Sequence, residues 1–214
     1  MAAIDFGQVF IVFLVLLFSL TVHEAAHAWS ASRLGDETAR MMGRVSLNPA
    51  VHVDPIGTIV FPLIALITNL PVLGWAKPVP VNILNLRGHW KQKYMLIAAA
   101  GPASNLVLAT IAAVLLRFVP AGGSADEAVA VGFSASGLLQ RAVFINVLLA
   151  VFNMVPVPPL DGGNVLAGLL RGRASELFDR VRPYGFLILY GLMFSGILTT
   201  IITPPARLIL SWLL

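Results

Sequence analysis

Long apolar runs alternate with short polar segments along this chain. Four of the runs carry no charged residue: 6–22, 95–116, 142–160 and 184–202. Each is close to the ~20 residues that an α-helix needs to cross the hydrocarbon core of a bilayer. The pattern predicts an all-α polytopic membrane protein with about four transmembrane helices, of which the last lies at about 184–202.

A fifth apolar segment, 56–73, is interrupted by two prolines and an asparagine. It could cross the membrane, or it could enter and return to the same side. Polar and apolar residues alternate just before it, within 43–49, which is typical of a short β-strand. Just after it, 77–82 reads as an extended stretch whose prolines suit the edge of a sheet. The sequence therefore predicts two short β-strands flanking this segment.

Composition supports a membrane protein and excludes several other classes. Of the 214 residues, 58% are hydrophobic and only 11% are charged, with a mean hydropathy of +0.88. Soluble domains carry about 25% charged residues. The chain has no cysteine, which excludes disulfides and thiolate chemistry. The net charge of +4 gives no reason to expect a nucleic-acid partner. No stretch is marked as a separate soluble module, so the sequence predicts a single membrane domain over 1–214.

Candidate metal chemistry appears at the end of the first apolar run, in the sequence His23-Glu24-Ala25-Ala26-His27. Residues four apart share one face of a helix, so the two imidazoles can bind one ion. Glu24 then lies beside them, able to take a proton from a metal-activated water, as in zinc metalloproteases. The alternative is a pair of histidines that form hydrogen bonds within a helix bundle. Ionisable residues inside a membrane are costly and usually functional, which favours the metal site.

A catalytic zinc ion usually has three protein ligands, so two histidines leave one ligand to find. Without cysteine, the third must be His, Asp or Glu, and Asp161 is the best candidate. It follows the proline-rich end of the third uncharged run, where the prolines break the helix. Gly162 and Gly163 then allow a tight turn. Taken alone, Asp161 could also be a turn-forming aspartate.

Three motifs resemble the site-2 protease family of intramembrane zinc metalloproteases. They are HEAAH at 23–27, GPASN at 101–105, similar to the family's GPxxN, and NMVPVPPLDG at 153–162, similar to its NxxPxxxxLDG pattern. Together they cover the chain from about 8 to 170. The resemblance implies an intramembrane zinc endopeptidase with Zn²⁺ as its cofactor.

The resemblance also implies a role for each matching residue. Zn²⁺ would be bound by His23, His27 and Asp161, with Glu24 as the general base. Asn153 and Asn105 would contact the substrate peptide or the developing oxyanion, although each asparagine could instead form an interhelical hydrogen bond. Substrates would be transmembrane proteins or leftover signal peptides, cut in or near the bilayer of a prokaryotic plasma membrane.

One departure from the simplest members of that family is the segment 48–55, which adds His52 and Asp54 near the expected site. His52 is a further candidate for substrate contact, and the pair could also gate the cleft, assist proton transfer or touch the metal. The alternative, which we favour, is a loop in which Asp54 orients His52 or caps residues 56–58. No stretch is long enough for an extramembrane PDZ module.

Charge and the metal site together predict the topology. The first and third uncharged runs must end on the same side of the membrane if His23 and Asp161 share an ion. That requires segment 56–73 to be re-entrant. Eleven of the 14 Lys and Arg residues then lie on one side, against eight if the segment crosses. Because cytoplasmic loops are enriched in Lys and Arg, this arrangement puts the active site toward the cytoplasm.

Two alternatives to a protease remain at this level. A membrane metal transporter would also place His and Asp within the bilayer, but it needs no Glu beside the first His. A non-catalytic metal-binding scaffold could retain the same fold, yet every residue type that catalysis requires is present. The oligomeric state is not predicted.

Overall fold

The structure is a computed structural model that describes residues 6–61, 64, 75–119 and 134–214. Three of its helices are long and apolar enough to cross a membrane, and a bent C-terminal pair would make a fourth span. In chain order the helices are α1 (Phe6–Leu34), α2 (Thr38–Met41), α3 (Trp90–Leu116), α4 (Ala135–Asn153), α5 (Asp161–Leu169), α6 (Arg173–Val181), α7 (Gly185–Phe194) and α8 (Ile197–Leu213). The helical class and the number of about four spans agree with the sequence prediction.

The relative direction of the three long helices follows from contacts near their ends. Lys93 Nζ donates to the carbonyl oxygen of Leu34 at 3.0 Å, so the end of α1 lies beside the start of α3. Arg141 donates to the side-chain oxygen of Gln8, so the start of α1 lies beside the start of α4. Helices α1 and α4 therefore run in the same direction, and α3 runs against both.

Small residues allow the helices to pack closely. The buried cluster between α3, α4 and α8 consists of Ala109, Ala112, Ala113, Val143, Val147 and Ala206. Within a bilayer, lipid tails solvate apolar side chains as well as another helix does, so association depends on such close contact and on interhelical hydrogen bonds. Both devices appear here, because the polar site described below joins α1, α3 and α4.

The C-terminal run is not the single helix predicted at 184–202. It is divided between α7 and α8, and the stretch 173–194 makes an angle of 80° with α8. The break falls at Gly196, whose φ of +76° lies in the left-handed region that is unfavourable for residues with a side chain. With only 10 residues, α7 is about 15 Å long, half the thickness of the hydrocarbon core.

The predicted β-strands are wrong for the part of the chain that the structure describes, which contains no strand. Segment 43–49 forms turns that lead into a 3₁₀ turn at Pro49–Val51. Segment 75–82 has no regular secondary structure.

A buried arginine takes the place of a paired strand. Lys77 N donates to His52 O at 2.8 Å, but the next residues, Pro78 and then Pro80, have no N–H to continue a ladder. The guanidinium of Arg44 instead donates to the carbonyl oxygens of Lys77 and Pro78. The Arg44 side chain therefore forms the hydrogen bonds to segment 77–78 that the sequence predicted a neighbouring strand would form.

The apolar segment that was expected to re-enter the membrane begins with a π-helical turn at Pro55–Val60. Asp54 caps this turn by accepting hydrogen bonds from the N–H groups of Ile56 and Gly57, at 3.0 and 2.7 Å. Trp75 N donates to Gly57 O at 3.1 Å, so residues 57 and 75 are neighbours. The middle of the segment, 62–63 and 65–74, lies outside the described residues.

Candidate metal centre and active-site cavity

The two histidines of the HEAAH motif lie one turn apart on α1 and face each other. Their rings make an edge-to-face contact with centroids 4.7 Å apart, and their Nε2 atoms are 3.0 Å apart. Both residues are buried, with 3% and 8% of their surface exposed. The four-residue spacing thus brings two nitrogen donors to one point inside the helix bundle.

Asp161, the first residue of α5, completes this cluster. Its Oδ2 lies 3.0 Å from His23 Nε2 and 3.3 Å from His27 Nε2. The glycine after it permits the approach, because a Cβ at Gly162 would lie 2.3 Å from the carbonyl oxygen of Met154. Helix α5 can therefore start directly against the turn that follows α4, with the carboxylate directed at the two rings.

The outer nitrogen of each imidazole is held by an oxygen atom. His27 Nδ1 donates to the carbonyl oxygen of Ile97 at 2.7 Å. His23 Nδ1 lies 2.6 Å from Oδ1 of Asn105, a side chain with 0% exposure. Such partners on the outer nitrogen fix the tautomer and the ring orientation of metal-binding histidines. They leave both Nε2 lone pairs, together with the carboxylate, pointing at the same spot.

These residues fit a zinc ion. With both imidazoles neutral and protonated on Nδ1, three acceptor atoms converge, an arrangement that a cation relieves. Tetrahedral zinc ligands at about 2.0–2.2 Å from the ion are about 3.3–3.6 Å from one another, close to the 3.0–3.3 Å separations in this cluster. The space is kept by Gly101, since a Cβ there would lie 2.4 Å from His27 Nε2 and 2.5 Å from His23 Nε2.

A cavity of about 480 Å³ opens beside the cluster, and Glu24 lines it together with the three candidate ligands. Glu24 is partly exposed, whereas both histidines are buried. The rest of the wall is largely apolar and comes from α1, α3, α4, α7 and segment 75–81. The site is thus a pocket with a few polar groups at one end and apolar walls elsewhere, which is typical of ligand-binding cavities.

The remaining candidate residues differ in whether they line the cavity. Asn153 lines the cavity, and its Nδ2 donates to Leu149 O at 3.0 Å. Asn105 does not line the cavity and instead contacts His23 from behind. His52 is buried away from it, with Nε2 at 2.8 Å from the carbonyl oxygen of Ser46.

Two buried polar residues behind the site were not predicted from the sequence. Asn146 of α4 and Ser19 of α1 are 2% and 1% exposed, and both are hydrogen-bonded to Asn105 or to each other. The available signal was the occurrence of an asparagine within an uncharged run, where a polar residue is expensive. It was insufficient because the partners lie far apart in sequence.

Comparison with known proteins gives a consistent result. The profile of peptidase family M50 matches residues 123–196. "Putative zinc metalloprotease YwhC" of Bacillus subtilis is 34% identical over 194 residues, covering 89% of this chain and 83% of that protein. Rip2 of Mycolicibacterium smegmatis, which carries the same description, is 33% identical over 182 residues, covering 84% of this chain and 64% of that protein. No solved structure matches the chain significantly.

The long apolar helices, the HEAAH–aspartate cluster and these relatives define a membrane zinc metalloprotease. Zinc is the cofactor of this class, and the three converging side chains form its candidate binding site. The chain belongs to peptidase family M50, the site-2 proteases.

Proposed function

We propose that this protein is an endopeptidase that cuts membrane proteins within or beside the bilayer. The observation that carries the proposal is the convergence of His23, His27 and Asp161 on one point at the wall of an apolar cavity, with Glu24 beside them. Helix α1 is long and apolar enough to span a membrane. A site on this helix would therefore lie at the same depth as a substrate segment in the bilayer.

Zinc, when bound, supplies Lewis acidity and lowers the pKa of a water molecule to about 7. Glu24 accepts the proton of the attacking water and delivers it to the leaving amine, which its place on the cavity wall allows. Asn153 has a second N–H beyond the one bonded to Leu149 O, and this donor can stabilise the oxyanion. Asn105 acts from behind, by holding His23.

The substrate would bind in an extended form along segment 75–81. Five residues of this segment line the cavity. In three of them, Ala76, Val79 and Val81, the backbone N–H and C=O groups have no hydrogen-bond partner among the described residues. An unwound peptide could pair with these groups as an added strand. Residues 44–47, within the other segment predicted as a strand, do not line the cavity.

We also propose that the site faces the cytoplasm of a prokaryotic plasma membrane. The neighbouring ends of α1 and α3, joined by Lys93 and Leu34, support a segment 56–73 that leaves the membrane on the side where it entered. The contact between Gly57 and Trp75 supports the same path. Eleven of the 14 Lys and Arg residues then lie on the side of that junction, as is usual for cytoplasmic loops. Single-span proteins and leftover signal peptides are the proposed substrates.

The test compares purified wild type with Glu24→Gln and Asp161→Ala, using zinc content and cleavage of a model transmembrane substrate. We expect cleavage by wild type only, zinc retained in Glu24→Gln, and zinc binding weakened in Asp161→Ala. Glu37→Gln is a matched control, since that carboxylate is 48% exposed and belongs to the surface. Normal cleavage by Glu24→Gln would show that the assigned base is wrong. Zinc binding without cleavage, combined with metal flux in vesicles, would favour a transporter.

A further inference from the structure

A row of buried polar groups crosses the apolar helices directly behind the metal centre. Ser19, Asn105 and Asn146 come from α1, α3 and α4, and they are 1%, 0% and 2% exposed. Intramembrane polar residues are costly, so three in contact at one depth require a physical reason. Their hydrogen bonds have a defined direction, and that direction ends at His23.

The direction begins at Asn146, whose carboxamide is anchored at its nitrogen end. Nδ2 donates to the carbonyl oxygen of Ala142 at 2.8 Å and to Ser19 Oγ at 2.9 Å. A backbone carbonyl can only accept, so the nitrogen must face it. The oxygen of the same carboxamide is therefore turned toward Asn105.

Asn105 repeats the same orientation one step closer to the metal centre. Its Nδ2 donates to Asn146 Oδ1 at 2.8 Å and to the carbonyl oxygen of Ser19 at 3.3 Å. Both of these are acceptors, so Asn105 Oδ1 is the atom that faces His23 Nδ1, at 2.6 Å. A carboxamide oxygen can only accept, so His23 carries its proton on Nδ1, and the Nε2 lone pair faces Asp161.

His27 does not depend on a series of side-chain hydrogen bonds for its orientation. His27 Nδ1 donates to a backbone carbonyl, that of Ile97, which cannot present a donor. Asn105 differs, because a carboxamide turned by 180° would present N–H to His23 Nδ1. The ring would then carry its proton on Nε2, where it blocks the metal.

We propose that Asn146 is a positioning residue for the metal centre, which acts through Asn105 to keep the proton of His23 on Nδ1. The proposal rests on His23 as a zinc ligand but not on any substrate or cleavage reaction. The competing view is that Asn146 only joins helices, through hydrogen bonds of the kind that polar residues form between membrane helices. The two views differ in what they predict for the imidazole.

The first measurement is the tautomer of His23 in the metal-free protein. The chain has only 4 histidines, so ¹⁵N-histidine NMR at alkaline pH gives few signals, and His23→Gln assigns the one of interest. We expect His23 of the wild type to be the Nδ1–H tautomer, and Asn146→Leu to populate the Nε2–H tautomer. Finding Nε2–H in the wild type would overturn the proposal, whether or not Asn146→Leu folds.

The second measurement is zinc affinity in a double-mutant cycle. Loss of a partner in the outer shell typically weakens metal binding by 10–100-fold, and we expect about 10-fold for Asn146→Leu. In an Asn105→Asp background the same change should cost less than about twofold, because a carboxylate offers His23 an acceptor in either orientation. An equal loss in both backgrounds would mean that Asn146 acts only on stability, and the proposal would fail.

Thr21→Val is the matched control. Thr21 is a buried polar residue of the same helix, 1% exposed, and its Oγ1 donates only to Leu17 O at 2.7 Å. The change removes a hydrogen bond close to His23 without touching the asparagines. We expect the tautomer and the zinc affinity to be unchanged. A shift as large as that of Asn146→Leu would show that the metal centre responds to any nearby polar loss, which contradicts a directed role.

Discussion

Gly101 of α3 packs directly against the imidazole of His27. A Cβ at this position would lie 2.4 Å from Nε2, the nitrogen that faces the candidate metal position. The neighbouring ring of His23 would be equally close, at 2.5 Å. Real Cβ atoms do not approach other atoms this closely, so the absence of a side chain at residue 101 is what lets α3 close over the metal centre.

We therefore expect Gly101→Ala to displace the histidine rings and lower zinc affinity by at least about 10-fold, with cleavage lost in proportion. Zinc content of the purified protein and a zinc titration would measure this. Gly191→Ala is the control, because it also replaces a helical glycine but has no atom within 4 Å of the new Cβ. Full zinc binding by Gly101→Ala would show that α3 can move away from α1 at little cost.

The clustering of the candidate metal ligands could be predicted because its key spacing is local. His23 and His27 share a helix face for any regular helix, and Asp161 stands out as a carboxylate at the end of an apolar run. The series of hydrogen bonds from Asn146 through Asn105 to His23 could not be predicted. Asn105 and Asn146 are 41 residues apart and meet only when α3 and α4 pack. Sequence pattern gives the face of a helix but not its neighbour.

The fold was predictable to the same extent. The uncharged runs located α1, α3 and α4. The predicted strand at 77–82 is wrong because Pro78 and Pro80, which suit the edge of a sheet, have no N–H to continue a ladder. The alternation of 43–49 reflects turns that aim Arg44 inward. The break at Gly196 was missed because hydrophobicity continues across it, while the backbone changes direction.

Asp36 makes stability depend on pH. Burial would raise its pKa, but hydrogen bonds from Thr38, Asn85 and Asn82 N hold the pKa below its usual 3.8. A lowered pKa in the folded state means that the ionised carboxylate stabilises the protein above the unfolded pKa. That contribution is lost as the pH falls through the folded pKa.

Accordingly, Asp36→Asn should lower the Tm by roughly 5 °C at pH 7 in detergent, and the difference should shrink as the pH drops below about 4. Thermal unfolding of both proteins across this range would measure it. Glu37→Gln should have little effect at either end, since Glu37 is on the surface. A difference that grows toward low pH would contradict the assigned sign.

The proposed topology can be mapped with single cysteines, because the chain has none of its own. Met41→Cys, Glu176→Cys and Phe118→Cys place thiols at exposed positions in three different connections. We expect a membrane-impermeant maleimide to reach residues 41 and 176 from the cytoplasmic face and residue 118 from the opposite face. Detergent should make all three reactive. Labelling of 41 and 176 from opposite faces would mean that segment 56–73 crosses the membrane.

Arg44 supports the wall of the cavity along which the substrate is proposed to bind. Its guanidinium is buried, and it donates to the carbonyl oxygens of Val51, Lys77 and Pro78. Lysine offers a single ammonium group and cannot serve three carbonyls with the same planar geometry. Each buried carbonyl left unpaired costs about 1–3 kcal/mol, which is enough to displace segment 75–81.

We expect Arg44→Lys to lower kcat/KM for a transmembrane substrate by about 10-fold or more. The effect should fall mainly on KM, because Arg44 forms no hydrogen bond with the candidate zinc ligands. Zinc content should stay at the level of the wild type. Arg40→Lys is the matched control, since the Arg40 side chain is 67% exposed and pairs only with Glu37. Unchanged kinetics would mean that segment 75–81 does not bind the substrate. Loss of zinc would instead mean that Arg44 supports the metal centre itself.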